Sequence, residues 1–371
     1  TETIQTVVLL AGATCLTIFA YDKVGGWEGI TANVDPVKLS MLREAGPGDG
    51  GMPWYAVMLG YPVIGIWYWC TDQTIVQRVL GAKSENHARV GPLFAGFIKI
   101  LPVFLFILPG VMCLAMIKQG ALPPLDDPKD TYAFMIQNLL PDGLRGLMAA
   151  ALLAAAMSTV SGALNSIATL FTYDLYKQFK PNATEKRLVL VGRIVTFVAM
   201  ALAIVWSIYG IGGAAKTIFQ QFVTIICLVA PPITVTFLLG VFWKRASSRG
   251  SFVTMLSGTL MGVAMFVVYK MDGIAKGAAD GMPYWSFCKD CLPKMLQNFW
   301  MASFYLAIAC ALIHMIVSMI WPDEPSEEQM SLVWDNPLDA LRGDAWRGIG
   351  NYKFLSVLLL LTLIGFYIAF A

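Results

Sequence analysis

Val90-Gly-Pro-Leu-Phe-Ala-Gly-Phe-Ile-Lys99-Ile-Leu-Pro-Val-Phe-Leu-Phe-Ile-Leu-Pro-Gly110 reads as a membrane span with one charge inside it. At about 1.5 Å rise per residue, Lys99 stands roughly 15 Å from Arg89, near the middle of a hydrocarbon core about 30 Å thick. A charge at that depth costs at least ~2.5–3.5 kcal/mol. A chain accepts the cost where the charge meets protein interior or a watery cavity, so the stretch predicts a polar pathway or site at mid-depth.

The rest of the chain agrees. It is 57% hydrophobic and 13% charged over 371 residues, where a soluble domain carries about 25% charged residues. A net charge of +2 gives no electrostatic case for a nucleic-acid partner. The chain begins at Thr1 and enters a span almost at once, without a basic leader region or small-residue cleavage site. That pattern is expected of a fragment or processed product whose earlier spans are missing.

Nine apolar stretches are long enough to span, near 3–21, 53–80, 90–118, 145–176, 188–211, 215–243, 251–270, 298–321 and 353–371. Lys and Arg concentrate in one alternating set of loops: Arg78, Lys83 and Arg89; Lys177, Lys180, Lys186, Arg187 and Arg193; Lys244, Arg245 and Arg249; Arg342, Arg347 and Lys353. That set is expected to be cytoplasmic, with Thr1 inside and Ala371 outside. Cys15, Cys70, Cys113, Cys227 and Cys310 fall in predicted spans as packing residues. Cys288 and Cys291 lie in a polar loop, as a local disulfide or as two thiols. His314, in the eighth stretch, reads as a satisfied packing residue.

Three stretches look built for more than spanning. Leu59-Gly-Tyr-Pro62-Val-Ile-Gly65 places a proline between glycines inside a span. It is either a simple kink or a break exposing backbone to a cavity, as transporters use. Trp67-Tyr68-Trp69-Cys-Thr-Asp72-Gln follows; aromatic faces stack on sugar rings, though an interfacial belt gives the same residues. Ala154-Ala-Ala-Met-Ser158-Thr159-Val-Ser161-Gly-Ala-Leu-Asn165-Ser166 puts hydroxyls near the midplane. Such oxygens suit sodium, and they equally suit close helix packing. Gln220, Gln221 and Thr224 precede Pro231-Pro232 and call for hydrogen-bond partners.

Together these residues resemble the sodium/glucose cotransporter branch of the solute:sodium symporter family. The resemblance is carried by Trp67 to Gln73 with Ile75-Val-Gln-Arg78 and Ala82-Lys-Ser84. It continues in Asp142-Gly-Leu-Arg-Gly-Leu-Met148, Asn165-Ser, Thr169-Leu-Phe-Thr172 and Asp174-Leu-Tyr176, and in Pro231-Pro232 with Phe237 to Arg245. The opening Thr1-Glu-Thr-Ile-Gln5 also fits. These blocks cover nearly the whole chain.

The resemblance implies an all-α membrane bundle with a LeuT-type core of two inverted repeats. Residues 1–21 would be the last helix of the first repeat, 53–243 the second repeat, and 251–371 peripheral helices, all in one transmembrane domain. It implies that Lys99, Tyr68 and Trp69 contact solute. Ala155 (by its carbonyl), Ser158 and Thr159 would hold sodium, and Ser161 and Glu2 a second sodium in some members. Gly65 stands where members carry a polar contact, and Val223 where they carry a glutamine, with Gln220 and Gln221 within a turn. Losing such side-chain hydrogen bonds changes the solute a site prefers.

The expectation is therefore sodium-coupled symport of a sugar or related small polar solute, with sodium as coupling ion and no other cofactor, in the plasma (inner) membrane. The alternatives are a non-sugar solute such as a polyol or carboxylate, or a sensor that binds without transporting. An enzyme is not expected, because no nucleophile–base or metal cluster is visible at depth.

Overall fold

The computed structural model describes residues 2–42, 53–209, 218–277, 298–334, 336, 341, 343 and 345–370, without the side chains of 2, 209, 218–221, 269–277, 328 and 329. The expected pair Cys288 and Cys291 lies outside them. Among the described residues every regular element is helical. Eight helices are long and apolar enough to cross a membrane, where nine were expected. The expected span at 53–80 makes the difference. Its aromatic and polar residues dilute its apolar character, and the helix stops at Asp72 before resuming.

The chain divides into two compact units, residues 1–40 with 89–215 and residues 41–88 with 216–371. The first holds α1 (Glu2–Val24), α2 (Gly26–Asn33), most of α5 (Glu85–Ile98), α6 (Leu108–Lys118), α7 (Thr131–Leu139), α8 (Asp142–Thr169), α9 (Lys177–Phe179) and α10 (Glu185–Tyr209). Gly25 and Gly26, at φ 83° and 71°, turn the chain from α1 into α2; only glycine takes that backbone without strain. The Gln119 amide locks the turn by donating to the Val24 and Gly29 carbonyls at 3.1 and 3.3 Å. Beneath it lie Leu16, Val24, Ile30, Met112, Met116, Met135 and Met148, all buried. Helix α8 starts after Pro141, with Asp142 at its positive end and Arg145 3.0 Å from that carboxylate. Its alanine-rich run has the highest helix propensity available.

The second unit holds α3 (Trp54–Ile66), α4 (Gln73–Leu80), α11 (Ile218–Phe242), α12 (Ser248–Gly277), α13 (Phe299–Ile320), α14 (Glu327–Leu332) and α15 (Tyr352–Ala369). Asn298 caps α13, its side chain accepting from the Trp300 and Met301 amides at 3.0 and 3.3 Å. Helices α11, α12 and α13 pack on one another through glycines and small residues, the usual means of close approach in lipid. A Cβ at Gly258 would lie 2.6 Å from Pro232 and 2.7 Å from the Cys310 sulfur. Helix α3 joins them at Gly60, where a Cβ would lie 2.2 Å from the Trp300 carbonyl oxygen.

His314 is fully buried on α13. Its Nε2 lies 3.2 Å from the Ser251 hydroxyl and its Nδ1 3.4 Å from that of Ser318. Ser318 in turn meets the Ser247 amide and hydroxyl at 3.1 and 3.2 Å. Both ring nitrogens are thus engaged, as expected of a satisfied packing histidine. Cys113, Cys227 and Cys310 are buried thiols, Cys15 is half-buried and Cys70 exposed.

Candidate functional site

Lys99 lies at a discontinuity. Helix α5 ends at Ile98, the chain turns through Lys99 and Ile100, and helical structure resumes as a wide π-helical turn over Val103–Ile107 before α6. The Lys99 amide still donates to Ala95 at 2.9 Å, but Ile100 reaches only Phe97 and Val103 only Ile100, each at 3.2 Å. Pro102 is the cause. It has no amide to offer the Ile98 carbonyl, and its ring crowds that turn. The Lys99 side chain is exposed within its unit. The interruption thus coincides with the one charge in the core of the span. Sequence reading missed it, although Pro102, three residues after Lys99, was the available signal.

Of the two readings of Leu59–Gly65, kink or break, the break is not formed. Helix α3 runs unbroken through Pro62 to Ile66. It then widens into a π-helical turn over Trp67–Thr71 and ends at Asp72, whose carboxylate caps α4 by accepting from the Thr74 amide at 2.9 Å. Two contacts hold the helix on either side of the proline. Gly60 packs on the Trp300 backbone, and the Thr234 hydroxyl donates to the Val63 carbonyl at 2.9 Å. Tyr68 and Trp69 sit on the wide turn, both half-buried, with rings edge-to-face at 5.5 Å. A Cβ added at Gly65 would meet no atom within 4 Å, so open space lies beside it. Gln221 is on α11 with its side chain outside the described residues; Thr224, one turn on, is buried.

On α8, Ala151, Ala155, Ser158, Gly162 and Ser166 recur at three- and four-residue steps and share one face. Its ends are buried at Ala151 and Ser166, while Ala155 and Ser158 are half-buried. Thr159, at its edge, is exposed and donates its hydroxyl to the Ala155 carbonyl at 3.0 Å. A hard cation of calcium's size, which sodium matches, holds oxygens at about 2.3–2.6 Å. Two oxygens 3.0 Å apart fit adjacent positions on such an ion. Ser161 points elsewhere: with Leu153, Val160, Asn165 and Thr196 it lines a groove between α8 and α10 of about 600 Å³. Glu2 lies in the first turn of α1, its side chain outside the described residues. Beyond Thr169 the α8 span widens once more into a π-helical turn, Leu170–Tyr176, where the buried Thr172 hydroxyl has no hydrogen-bond partner. Wide turns of this kind collect at functional positions in helices.

Three candidate parts are therefore formed: a cation on a broken span, a pair of aromatics on a wide turn beside open space, and adjacent oxygens on α8. Lys99 and the α8 oxygens belong to the first unit; Gly65, Tyr68, Trp69 and Gln221 belong to the second.

Comparison with known proteins places these features in context. The profile of the "Sodium:solute symporter family" matches residues 1–258. The chain is 31% identical over 416 aligned residues to the bovine (Bos taurus) sodium/mannose cotransporter SLC5A10, covering 100% of the chain and 67% of that protein. It is 33% identical over 304 residues to the rat (Rattus norvegicus) sodium/glucose cotransporter 2, covering 72% of the chain and 45% of the relative. It is 30% identical over 363 residues to the human (Homo sapiens) sodium/myo-inositol cotransporter 2, covering 90% of the chain and 52% of the relative. The chain thus spans 67% of the first relative's length and about half of the other two.

Proposed function

The chain belongs to the sodium:solute symporter family, and we propose that it couples sodium entry to uptake of a sugar or related polyol across the plasma membrane. In this reading the Ala155 carbonyl and the Ser158 and Thr159 hydroxyls bind the sodium ion. Lys99 is a candidate cation for gripping the solute. Tyr68 and Trp69 are candidate aromatic contacts to it, with Gln221 as a candidate hydrogen-bonding residue. Ser161 and Glu2 remain candidates for a second sodium. Coupling requires that sodium and solute raise each other's affinity by the same factor.

One observation carries the reading: the single charge in the core of an apolar span sits where that span is interrupted. Backbone freed at membrane depth needs a protein wall or a watery cavity, and a transporter supplies the cavity. The solutes in the relatives' names, mannose, glucose and myo-inositol, make hydroxyl-rich rings the first candidates. A polyol is the second reading, favoured by the likeness to a sodium/myo-inositol cotransporter.

The test is uptake into vesicles carrying the full protein, with labelled mannose, glucose and myo-inositol and an inward sodium gradient. Accumulation above equilibrium in sodium, absent in choline medium, is the expected result, and Lys99→Ala should abolish it. Binding without accumulation would make the protein a sensor instead. Equal uptake in both media would end the proposal of coupling.

A further inference from the structure

Helices α12 and α13 enclose a groove of about 400 Å³ lined by Ser248, Arg249, Phe252, Val253, Val317 and Trp321. Its walls are apolar along Phe252, Val253 and Val317; Phe252 is 69% exposed, while Val317 is buried. Its mouth is different. Arg249 stands in the first turn of α12, and Lys244 and Arg245, both exposed, occupy the turn just before that helix. Trp321 closes the other side at the end of α13 and is half exposed, as a residue at headgroup depth would be. An acidic residue is present too: the Asp323 carboxylate accepts from the Ser248 amide and is also attracted by Arg249, so a headgroup phosphate shares that cation with it. One cation, Arg249, thus lines a slot sized for hydrocarbon, and two more stand in the turn that leads into the same helix end.

We propose that this groove seats an anionic glycerophospholipid of the cytoplasmic leaflet. One acyl chain lies along Phe252, Val253 and Val317, and the headgroup phosphate meets Arg249 with Lys244 and Arg245 beside it. Basic pockets between membrane helices on the cytoplasmic side select acidic headgroups in this way, and the attraction is sequence-readable. Arg249 is suited to the part because its planar fork binds phosphate through two parallel hydrogen bonds. The apolar walls alone accept any lipid; the cations make the seat selective. The proposal is independent of the solute carried, since none of these residues belongs to the candidate transport site.

Trp321 lies in the groove and reports on it. The full chain is reconstituted in phosphatidylcholine vesicles doped with a small fraction of brominated phosphatidylglycerol or brominated phosphatidylcholine, and the Trp321 signal is taken as the difference from Trp321→Phe. Brominated phosphatidylglycerol should quench that signal at several-fold lower mole fraction than brominated phosphatidylcholine. Arg249→Gln should cut the preference roughly five-fold, the effect of about one basic charge at a membrane surface, while Arg249→Lys should keep most of it. Equal quenching by the two lipids in the wild type would overturn the proposal, as would a preference that survives Arg249→Gln. Displacement of the lipid by millimolar glycerol phosphate would also overturn it, by showing a free phosphate site with no acyl seat.

Discussion

Helices α8 and α13 are both long apolar spans, yet they are used in opposite ways. In α13, 39% of the apolar stretch is buried; in the span beginning at Asp142 the share is 11%. Helix α13 carries Phe299, Trp300, Met301, Ser303, Cys310 and His314 into the centre of its unit. Helix α8 leaves Leu153 and Met157 at 66% and 73% exposure and presents a half-buried row of carbonyl and hydroxyl oxygens. The candidate sodium ligands therefore stand on a helix that gives its unit's core few buried residues, Met148 and Ala151 near its start among them. A helix with little packing duty can carry polar atoms at depth, because changing them disturbs few neighbours.

That contrast is open to attack. The largest effect is expected at Gly60, where α3 meets α13. Gly60→Leu drives a side chain into the Trp300 backbone, which cannot give way as a flexible side chain would. A loss of about 3 kcal/mol or more is expected, read from unfolding in a denaturing-detergent titration. On α8, Gly146→Ala meets nothing within 4 Å and should gain about 0.5–1 kcal/mol from lower unfolded-state entropy. Equal responses at the two glycines would erase the distinction between the helices.

His314→Ala comes next. It strips partners from Ser251 and Ser318 inside α13's packing, and the same titration should show a loss of about 2 kcal/mol. A negligible change would mean that the polar network only decorates the interface.

Thr159→Val sharpens the other side of the contrast. The hydroxyl beside the Ala155 carbonyl disappears, so the sodium concentration for half-maximal uptake should rise at least about ten-fold, as for loss of a hydrogen-bonding group to a charge. Stability should move by less than about 0.5 kcal/mol, as at an exposed position. A large stability loss with unchanged sodium dependence would reassign the α8 oxygens to packing.

The smallest effect is at Asp323, beyond the end of α13. The Ser248 amide holds its carboxyl below the ordinary value near 3.8, with Arg249 adding attraction. A depressed folded value means that its stabilisation is complete above that ordinary value and is lost as pH falls below it. Wild type should therefore melt slightly above Asp323→Asn at neutral pH, and the two curves should converge in acid.

Much of this molecule could be read before any coordinates. Composition fixes the solvent, and eight of nine expected spans follow from runs of apolar residues, because lipid leaves a helix no alternative for its backbone. The order of motifs from Trp67 to Arg245 identified the family. Where each span breaks was another matter. Pro62 and Pro102 look alike in sequence, each placed within an apolar run. Yet α3 passes straight through the first, held by Gly60 against Trp300 and by Thr234 on the Val63 carbonyl, while the chain turns ahead of the second, at Lys99. What Ser161 faces, a groove shared with Thr196 of α10, was likewise decided by how α8 packs. Hydropathy is a local sum over neighbours in sequence. Whether α3 breaks at Pro62 depends on partners more than a hundred residues away in sequence, and what Ser161 faces depends on the neighbouring helix α10.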